Sequence, residues 1–238
     1  WLPPYHDMGL IGGIIQPIFA GFPTTLMSPR TFIQKPYRWL RLISEKRATC
    51  SGGPNFAYAL CSRMITEEEK ASLDLSSWSV AFNGAEPVRA EVIHGFAKAF
   101  KSAGFKKKAL MPCYGLAEST LFVTSNLKTE PPTILPAKRS ALTENRFKIA
   151  DPNEQDSTNL VSCGLPYFNE TIKIVNPENR TVCRSNEVGE IWVDTESKAQ
   201  GYYNRPEESK QVFKAKLAEP DGKEYLRTGD LGFLLRSE

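Results

Sequence analysis

Residues Trp78 to Phe100 read WSVAFNGAEPVRAEVIHGFAKAF. A short apolar run ends at an Asn-Gly pair, and from there Val88, Val92, Phe96 and Phe100 recur at a spacing of four while Arg89, Glu91, Lys98 and Lys101 take the other side. This pattern predicts a strand, a turn and an amphipathic helix with Pro87 in its first turn. The same order occurs on either side. Upstream, RATCSGGPNFAYALCSRM (47–64) predicts a strand, a Gly52-Gly53-Pro54 turn and a helix with Phe56, Leu60 and Met64 on one face. Downstream, ALMPCYGLAESTLFV (109–123) predicts a strand followed by a helix, with Glu118 one turn inside it. Strands alternating with helices at this spacing imply crossover units and a parallel sheet covered on both faces. In such sheets the strand-to-helix turns emerge together at the carboxyl edge, where ligands bind. SGGP, NGAEP and YGLAE are therefore expected to converge.

Beyond Leu127 the pattern changes. Residues 128–160 are polar and proline-bearing, with weak apolar punctuation at Leu142 and Phe147, and a connection of that length is either functional or unstructured. After it, ETIKIVNPENRTV predicts two strands around a turn, GEIWVDT a short strand, and EYLRTGDLGFLL two strands joined at a Gly-Asp turn. The expected fold is α/β: a parallel-sheet subdomain with flanking helices (1–127), an insertion or linker (128–160), and a small β-rich, barrel-like subdomain (161–238).

Composition narrows the function. The 238 residues carry 30 basic and 27 acidic side chains, a net +3 that creates no strong field for nucleic acid or a membrane surface; Lys106-Lys107-Lys108 reads as a solvated loop. Five cysteines without CxxC spacing argue against a disulfide framework or a zinc site and suit a reducing, cytoplasmic setting. The apolar run from Leu10 to Phe19 is interrupted by Gly12, Gly13, Gln16 and Pro17, so no bilayer span is expected, nor is a secretory signal. Two histidines, His6 and His94, exclude a histidine-rich metal site. The chain opens on Trp1 without an initiator Met and closes on LLRSE, so a longer protein is expected.

Single motifs leave alternatives open. Tyr114 suits stacking on a flat heterocycle and Gly115 a close backbone approach, or the pair is a core tyrosine and a helix-starting glycine. Glu118 either favours a helix N-terminus or holds a divalent cation near phosphate oxygens. NGAEP (83–87) offers backbone groups to an anion or a purine edge. His6 stands beside Asp7, but no GxSxG or other placed nucleophile completes a triad. Asp230 reads as a hairpin turn residue.

In order, PPYHDMGL, NGAEPV, YGLAEST, GEIWV, GYYNRPEES and YLRTGDLG resemble the core motifs of the adenylate-forming superfamily, which includes acyl-CoA synthetases, luciferases and peptide-synthetase adenylation domains. The resemblance covers nearly the whole chain and implies part of that superfamily's large N-terminal domain. Ala117 in YGLAE, LVSCG at 160–164 and the polar segment before it resemble the fatty acyl-AMP ligase branch.

The resemblance implies ATP and Mg²⁺ as cofactors and the following roles. Tyr114 stacks on adenine, with Gly115, Leu116 and Ala117 lining the nucleotide; Asn83, Gly84, Ala85 and Glu86 border the adenine. Glu118 binds the metal, Asp230 holds the ribose hydroxyls, and His6 orients the carboxylate of a long-chain fatty acid. The acyl adenylate then passes to an acyl carrier protein or a carrier domain of a polyketide or peptide synthase. The apolar GLIGGIIQPIFAGFP (9–23) lines an acyl tunnel or is a buried structural helix. The pyrophosphate-gripping loop is expected upstream of Trp1 and the mobile domain with its catalytic lysine beyond Glu238, leaving this stretch alone inactive. The 128–160 segment resembles an insertion that restrains that domain and disfavours coenzyme A. A long-chain acyl-CoA ligase and a non-catalytic acyl- or nucleotide-binding module are the alternatives.

Overall fold

A computed structural model describes residues 1–128, 130–167 and 170–235. Thr129 of the polar segment, Phe168, Asn169 and the last residues of LLRSE lie outside them. The chain divides into two compact units: Trp1–Gly115 with Thr124–Ile134 and Val161–Leu165, and Leu116–Val123 with Leu135–Leu160 and Pro166–Glu238.

In the first unit, a wide helical segment at Met8–Ile15 runs into α1 (Gln16–Ala20), and α2 (Pro29–Gln34) and α3 (Tyr37–Lys46) follow. Then come β1 (Cys50–Gly53), α4 (Asn55–Met64), α5 (Glu67–Ala71), β2 (Val80–Asn83), α6 (Ala90–Ala99), β3 (Leu110–Leu116) and β4 (Leu121–Ser125). β1 pairs β2 and β2 pairs β3, all parallel, as the alternating pattern requires. β4 and the two-residue β7 (Leu165–Pro166) complete the order β1-β2-β3-β4-β7. Register puts Gly53 opposite Asn83 and Asn83 opposite Pro112, so SGGP and NGAEP do leave the sheet at one edge. β1 can lie this close only because Gly52 has no side chain: a Cβ there would sit 2.2 Å from the Phe82 carbonyl oxygen.

The core beneath the sheet is aromatic. Trp39, Tyr58, Trp78, Phe96, Phe100 and Phe105 are buried. Trp78 meets Phe96 edge-on with ring centroids 6.0 Å apart and Phe105 at 5.2 Å, an arrangement that the ring quadrupoles favour. Their polar atoms are satisfied by the strands: Trp78 Nε1 donates to Val80 O at 2.9 Å, Tyr58 OH to Phe82 O at 2.7 Å and Trp39 Nε1 to Ser51 Oγ at 2.9 Å. These bonds fix the rings at the cost of no orphaned donor.

Several local expectations need correction. α4 buries Ala57, Tyr58 and Cys61, while Phe56 and Met64 are exposed; Tyr58, able to reach a strand carbonyl, wins the core face. α6 begins at Ala90, so Pro87 precedes it. No helix follows β3: a single 3₁₀ turn at Ala117–Ser119 leads directly into β4. The apolar run after His6 is not a buried helix within this chain, since Ile18 and Phe19 are 75% and 87% exposed.

The second unit contains β5 (Ile134–Lys138), α7 (Arg139–Thr143) and β6 (Ser157–Val161), then β8 (Thr171–Val175), β9 (Gly189–Asp194), α8 (Pro206–Phe213) and β10 (Leu226–Gly232). β8, β9 and β10 form an antiparallel sheet in the order β10-β9-β8, and β5 pairs β6 separately. A small core of Val175, Trp192, Ala215, Leu217 and Tyr225 packs here. Residues 135–160 are folded rather than a bare connection: Ser140 Oγ donates to Asp156 at 2.6 Å, and Arg139 N to Asp156 O at 2.8 Å. EYLRTGDLGFLL is one strand, not a hairpin, with its pairing to β9 shifted between Arg227 and Leu231.

Replacing Phe96 by Ala is expected to cost about 3–5 kcal/mol, the usual range for emptying a buried aromatic site. His94→Ala, on the exposed side of α6, should stay within about 0.5 kcal/mol. Urea unfolding followed by tryptophan fluorescence checks both.

Candidate functional site

Glu118 sits in the 3₁₀ turn after β3, and the next two residues, Thr120 and Leu121, adopt positive φ of 55° and 89°. Such backbone is strained by about 1–3 kcal/mol per residue and persists only when neighbours over-determine it. Here the neighbours come from the segment after β9. Ala199 N donates to Glu118 O at 2.8 Å, Ser197 Oγ to Ser119 O at 2.7 Å, and Thr120 Oγ1 to Ser197 O at 2.5 Å. Tyr202 OH donates to Glu118 Oε1 at 2.8 Å. Burial, the Glu118 hydrogen bond and the Glu118 charge together push the Tyr202 phenol up to about 12, so at neutral pH it donates rather than ionises.

A second acid organises the irregular part of β10. Glu190 on β9 is buried, yet its carboxylate is fully engaged: Arg227 Nη2 donates to Oε2 at 2.8 Å, Trp192 Nε1 to Oε2 at 2.9 Å and Gly229 N to Oε1 at 3.1 Å. The Arg227 guanidinium also lies 5.6 Å from the Trp192 ring centre. Burial pushes the Glu190 carboxyl up, but the Arg227 and Trp192 bonds outweigh it and hold it below its ordinary value. Through the Gly229 bond this buried pair fixes the turn at Thr228–Asp230. Thr228 Oγ1 donates to Ile191 O at 2.8 Å and accepts from Asp230 N at 3.1 Å.

These two assemblies face one cavity of about 260 Å³, lined by residues that include Leu116, Glu118, Glu190, Tyr202, Arg227 and Gly229. The second unit thus brings Glu118 together with the turn that carries Asp230, which is itself exposed. Ala117 is an exposed residue of the Glu118 turn.

In the first unit, Asn83 ends β2 fully buried; its Nδ2 donates to Asn55 Oδ1 at 3.4 Å, while its Oδ1 has no partner among the described residues. A buried acceptor left so costs free energy unless a ligand supplies a donor. Gly84 is required by close approach, because a Cβ would lie 2.8 Å from Cys113 Sγ. Ala85 takes φ of 64°, strained for a residue with a side chain. Glu86 is committed to α4, accepting from Phe56 N at 2.7 Å. Tyr114 and Gly115 lie in β3, Tyr114 half-buried. His6 is half-exposed and pairs through Nδ1 with Asp7 Oδ1 at 2.5 Å, the same oxygen that accepts from Met8 N.

Sequence reasoning missed Tyr202, Ser197, Glu190 and Arg227. The motifs GYYNRPEES and GEIWV contain two of them, but a tyrosine or glutamate in a motif does not announce its partner.

No group of three or more His, Cys, Asp or Glu side chains able to hold a metal occurs among the described residues. Mg²⁺ is ordinarily bound by one or two carboxylates plus substrate phosphates rather than by a protein cage. A single acid at the cavity wall, Glu118, fits that mode; Glu190, already neutralised by Arg227, does not.

Comparison with known proteins agrees along the whole chain. The family model for AMP-binding enzymes matches residues 1–203. The medium-chain-fatty-acid–[acyl-carrier-protein] ligase JamA of Moorena producens is 47% identical over all of this chain and 40% of its own length. The crystal structure of a fatty acid AMP ligase from Legionella pneumophila superposes with a TM-score of 0.94 at 49% identity, covering 98% of this chain and 40% of that one. A Legionella fatty acyl-adenylate ligase in complex with acyl adenylate and pyrophosphate gives the same score and identity, over 98% and 41%. The chain therefore spans about 40% of the length of the relatives it matches.

Glu190→Gln is expected to cost about 2–3 kcal/mol, less than a wholly buried pair because Arg227 is partly exposed. A carboxylate held below its unfolded value stabilises the fold fully above that value, near pH 4.3, and the contribution fades as pH falls through the folded value. The stability gap between native and Glu190→Gln protein should therefore be present at pH 7 and shrink in acid, which urea titrations across pH will read.

Proposed function

The chain belongs to the family of AMP-binding enzymes, and from that premise we propose that the protein carrying it activates a long-chain fatty acid with ATP. The products are the acyl adenylate and pyrophosphate, and the acyl group then passes to an acyl carrier protein or a synthase carrier domain. The observation that carries this reading is the shared cavity of Glu118 and the Thr228–Gly229 turn, which pairs a metal-binding acid with a turn suited to a nucleotide's sugar.

In the reaction the fatty carboxylate oxygen bonds to the α-phosphorus, the bond from that phosphorus to the bridging oxygen breaks, and pyrophosphate leaves. Two anions meet, so the barrier falls only if charge is offset and the groups are held in line. Mg²⁺, when bound, supplies that offset at the phosphate oxygens, and Glu118 is the side chain that would hold it. In the first unit, Tyr114 stacks on the adenine, Gly115 lines it, and Asn83 to Glu86 border its edge; the unpartnered Asn83 Oδ1 suits an exocyclic amine. In the second, Leu116 and Ala117 line the nucleotide and Asp230 accepts from the ribose hydroxyls. His6, oriented by Asp7, directs the fatty carboxylate. No nucleophilic side chain is needed, because the intermediate is the adenylate itself.

The folded 128–160 insertion supports carrier transfer over thioester formation with coenzyme A. Five free thiols suit a cytoplasmic setting. No helix among the described residues is long and apolar enough to cross a membrane.

The full-length protein, given ATP and a long-chain acid, with a medium-chain acid as comparison, should release pyrophosphate and form acyl-AMP, acylate a phosphopantetheinyl carrier, and yield little acyl-CoA. Abundant acyl-CoA under matched conditions would reject the carrier assignment. Asp230→Ala in the same protein should raise the KM for ATP about ten-fold or more, the worth of a hydrogen bond to a charged group; unchanged nucleotide kinetics would remove the ribose role.

A further inference from the structure

The carboxylate of Glu118 is aimed by a residue eighty-four positions along the chain: Tyr202 OH donates to Oε1 at 2.8 Å. That phenol is itself locked. Tyr202 N donates to Ser209 Oγ at 2.8 Å, and its ring stands edge-on to Phe213 with centroids 5.0 Å apart. Ser209 and Phe213 are four apart on α8 and so share one face of the helix. The tyrosine is therefore held by a rigid element and not by its own loop. Ser197 and Ala199 hold the Glu118 main chain, and the phenol addresses the carboxylate.

The chemistry of the donor matters. A lysine or arginine in this place would neutralise Glu118 and compete with any cation. A neutral hydroxyl spends one of the roughly four lone-pair directions of a carboxylate and leaves its charge intact. Glu118 makes no ion pair among the described residues. The arrangement orients an acid without disarming it.

We propose that Tyr202 is a positioning residue that sets the direction of Glu118 for a magnesium-bound nucleotide. The proposal rests on the reading of Glu118 as the metal-holding acid. It is distinct from a structural role because it concerns the affinity of one carboxylate for a cation.

The test uses the full-length protein with Mn²⁺ as the probe, free ion being counted by electron paramagnetic resonance in the presence of a non-hydrolysable ATP analogue. Tyr202→Phe removes the hydroxyl and keeps the ring on Phe213. It should weaken Mn²⁺ binding about 10–100-fold, as loss of an outer-shell partner typically does. Its melting temperature and its metal-free affinity for the analogue should stay unchanged, and excess Mg²⁺ should restore its turnover. Glu118→Gln, run alongside, should abolish the tight Mn²⁺ site. If Glu118→Gln leaves Mn²⁺ binding intact, both the metal reading and the positioning role fall. If it abolishes binding while Tyr202→Phe binds as the native protein does, the positioning role alone falls. Should Tyr202→Phe unfold, Ser209→Ala loosens the anchor while keeping the phenol; weaker Mn²⁺ binding then upholds the proposal and unchanged binding overturns it.

Discussion

Parallel pairing of β1, β2 and β3 at close quarters is the constraint on which the first unit depends. Gly52 faces the Phe82 carbonyl and Gly84 faces Cys113 at distances no side chain survives, so neither position tolerates a Cβ without moving a strand. The register that results sets Gly53, Asn83 and Pro112 in line. Everything that follows those residues in sequence starts from one edge of the sheet. Beneath it, the tryptophan and tyrosine donors bind strand carbonyls and the Ser51 hydroxyl, so the aromatic core holds the strands through directional bonds as well as buried area. Strain at Ala85 is stored at that same edge, where a stiff sheet can bear it.

The second unit solves a different problem. Its sheet must break its own ladder between Arg227 and Leu231 to present a turn, and an interrupted ladder leaves backbone groups to satisfy. The Glu190 carboxylate takes the Gly229 N–H, and Thr228 Oγ1 takes the Asp230 N–H. Arg227 and the Trp192 indole keep Glu190 charged while it does so. A buried ion pair adds little net stability, but it specifies one arrangement where a hydrophobic substitute would allow several. That explains an acid at the centre of a strand otherwise apolar on its inner face.

Much of this was legible in the sequence because it is local. Strand runs ending at Gly-Gly or Asn-Gly, and helices with apolar spacing of three or four, carry their signals within a dozen residues, and the parallel sheet follows from their alternation. The α4 face was misread because Phe56 and Met64 are large and apolar, while the core selected Tyr58 for its reach to the Phe82 carbonyl. The helix expected at Glu118 fails for a non-local reason: Ser197, Ala199 and Tyr202, some eighty residues away, hold the turn in another conformation. The roles of Glu190 and Arg227 were hidden likewise, since a glutamate in GEIWV looks the same whether its partner is water or a guanidinium.

Two acids on one cavity wall are separated by what faces each of them. Glu190 meets a guanidinium that donates to both of its oxygens, an indole and a backbone N–H; its charge is spent, and its work is to hold a turn. Glu118 meets a phenol at one oxygen, and its charge remains available. Environment and not residue type divides the work between two identical side chains, as it does wherever paired carboxylates take different roles. A cation entering this cavity finds one carboxylate already balanced by arginine and one whose negative charge is oriented but unopposed. Electrostatics therefore draw it to Glu118 before any phosphate is considered, and the nucleotide's own oxygens then complete a coordination shell that the protein supplies only in part.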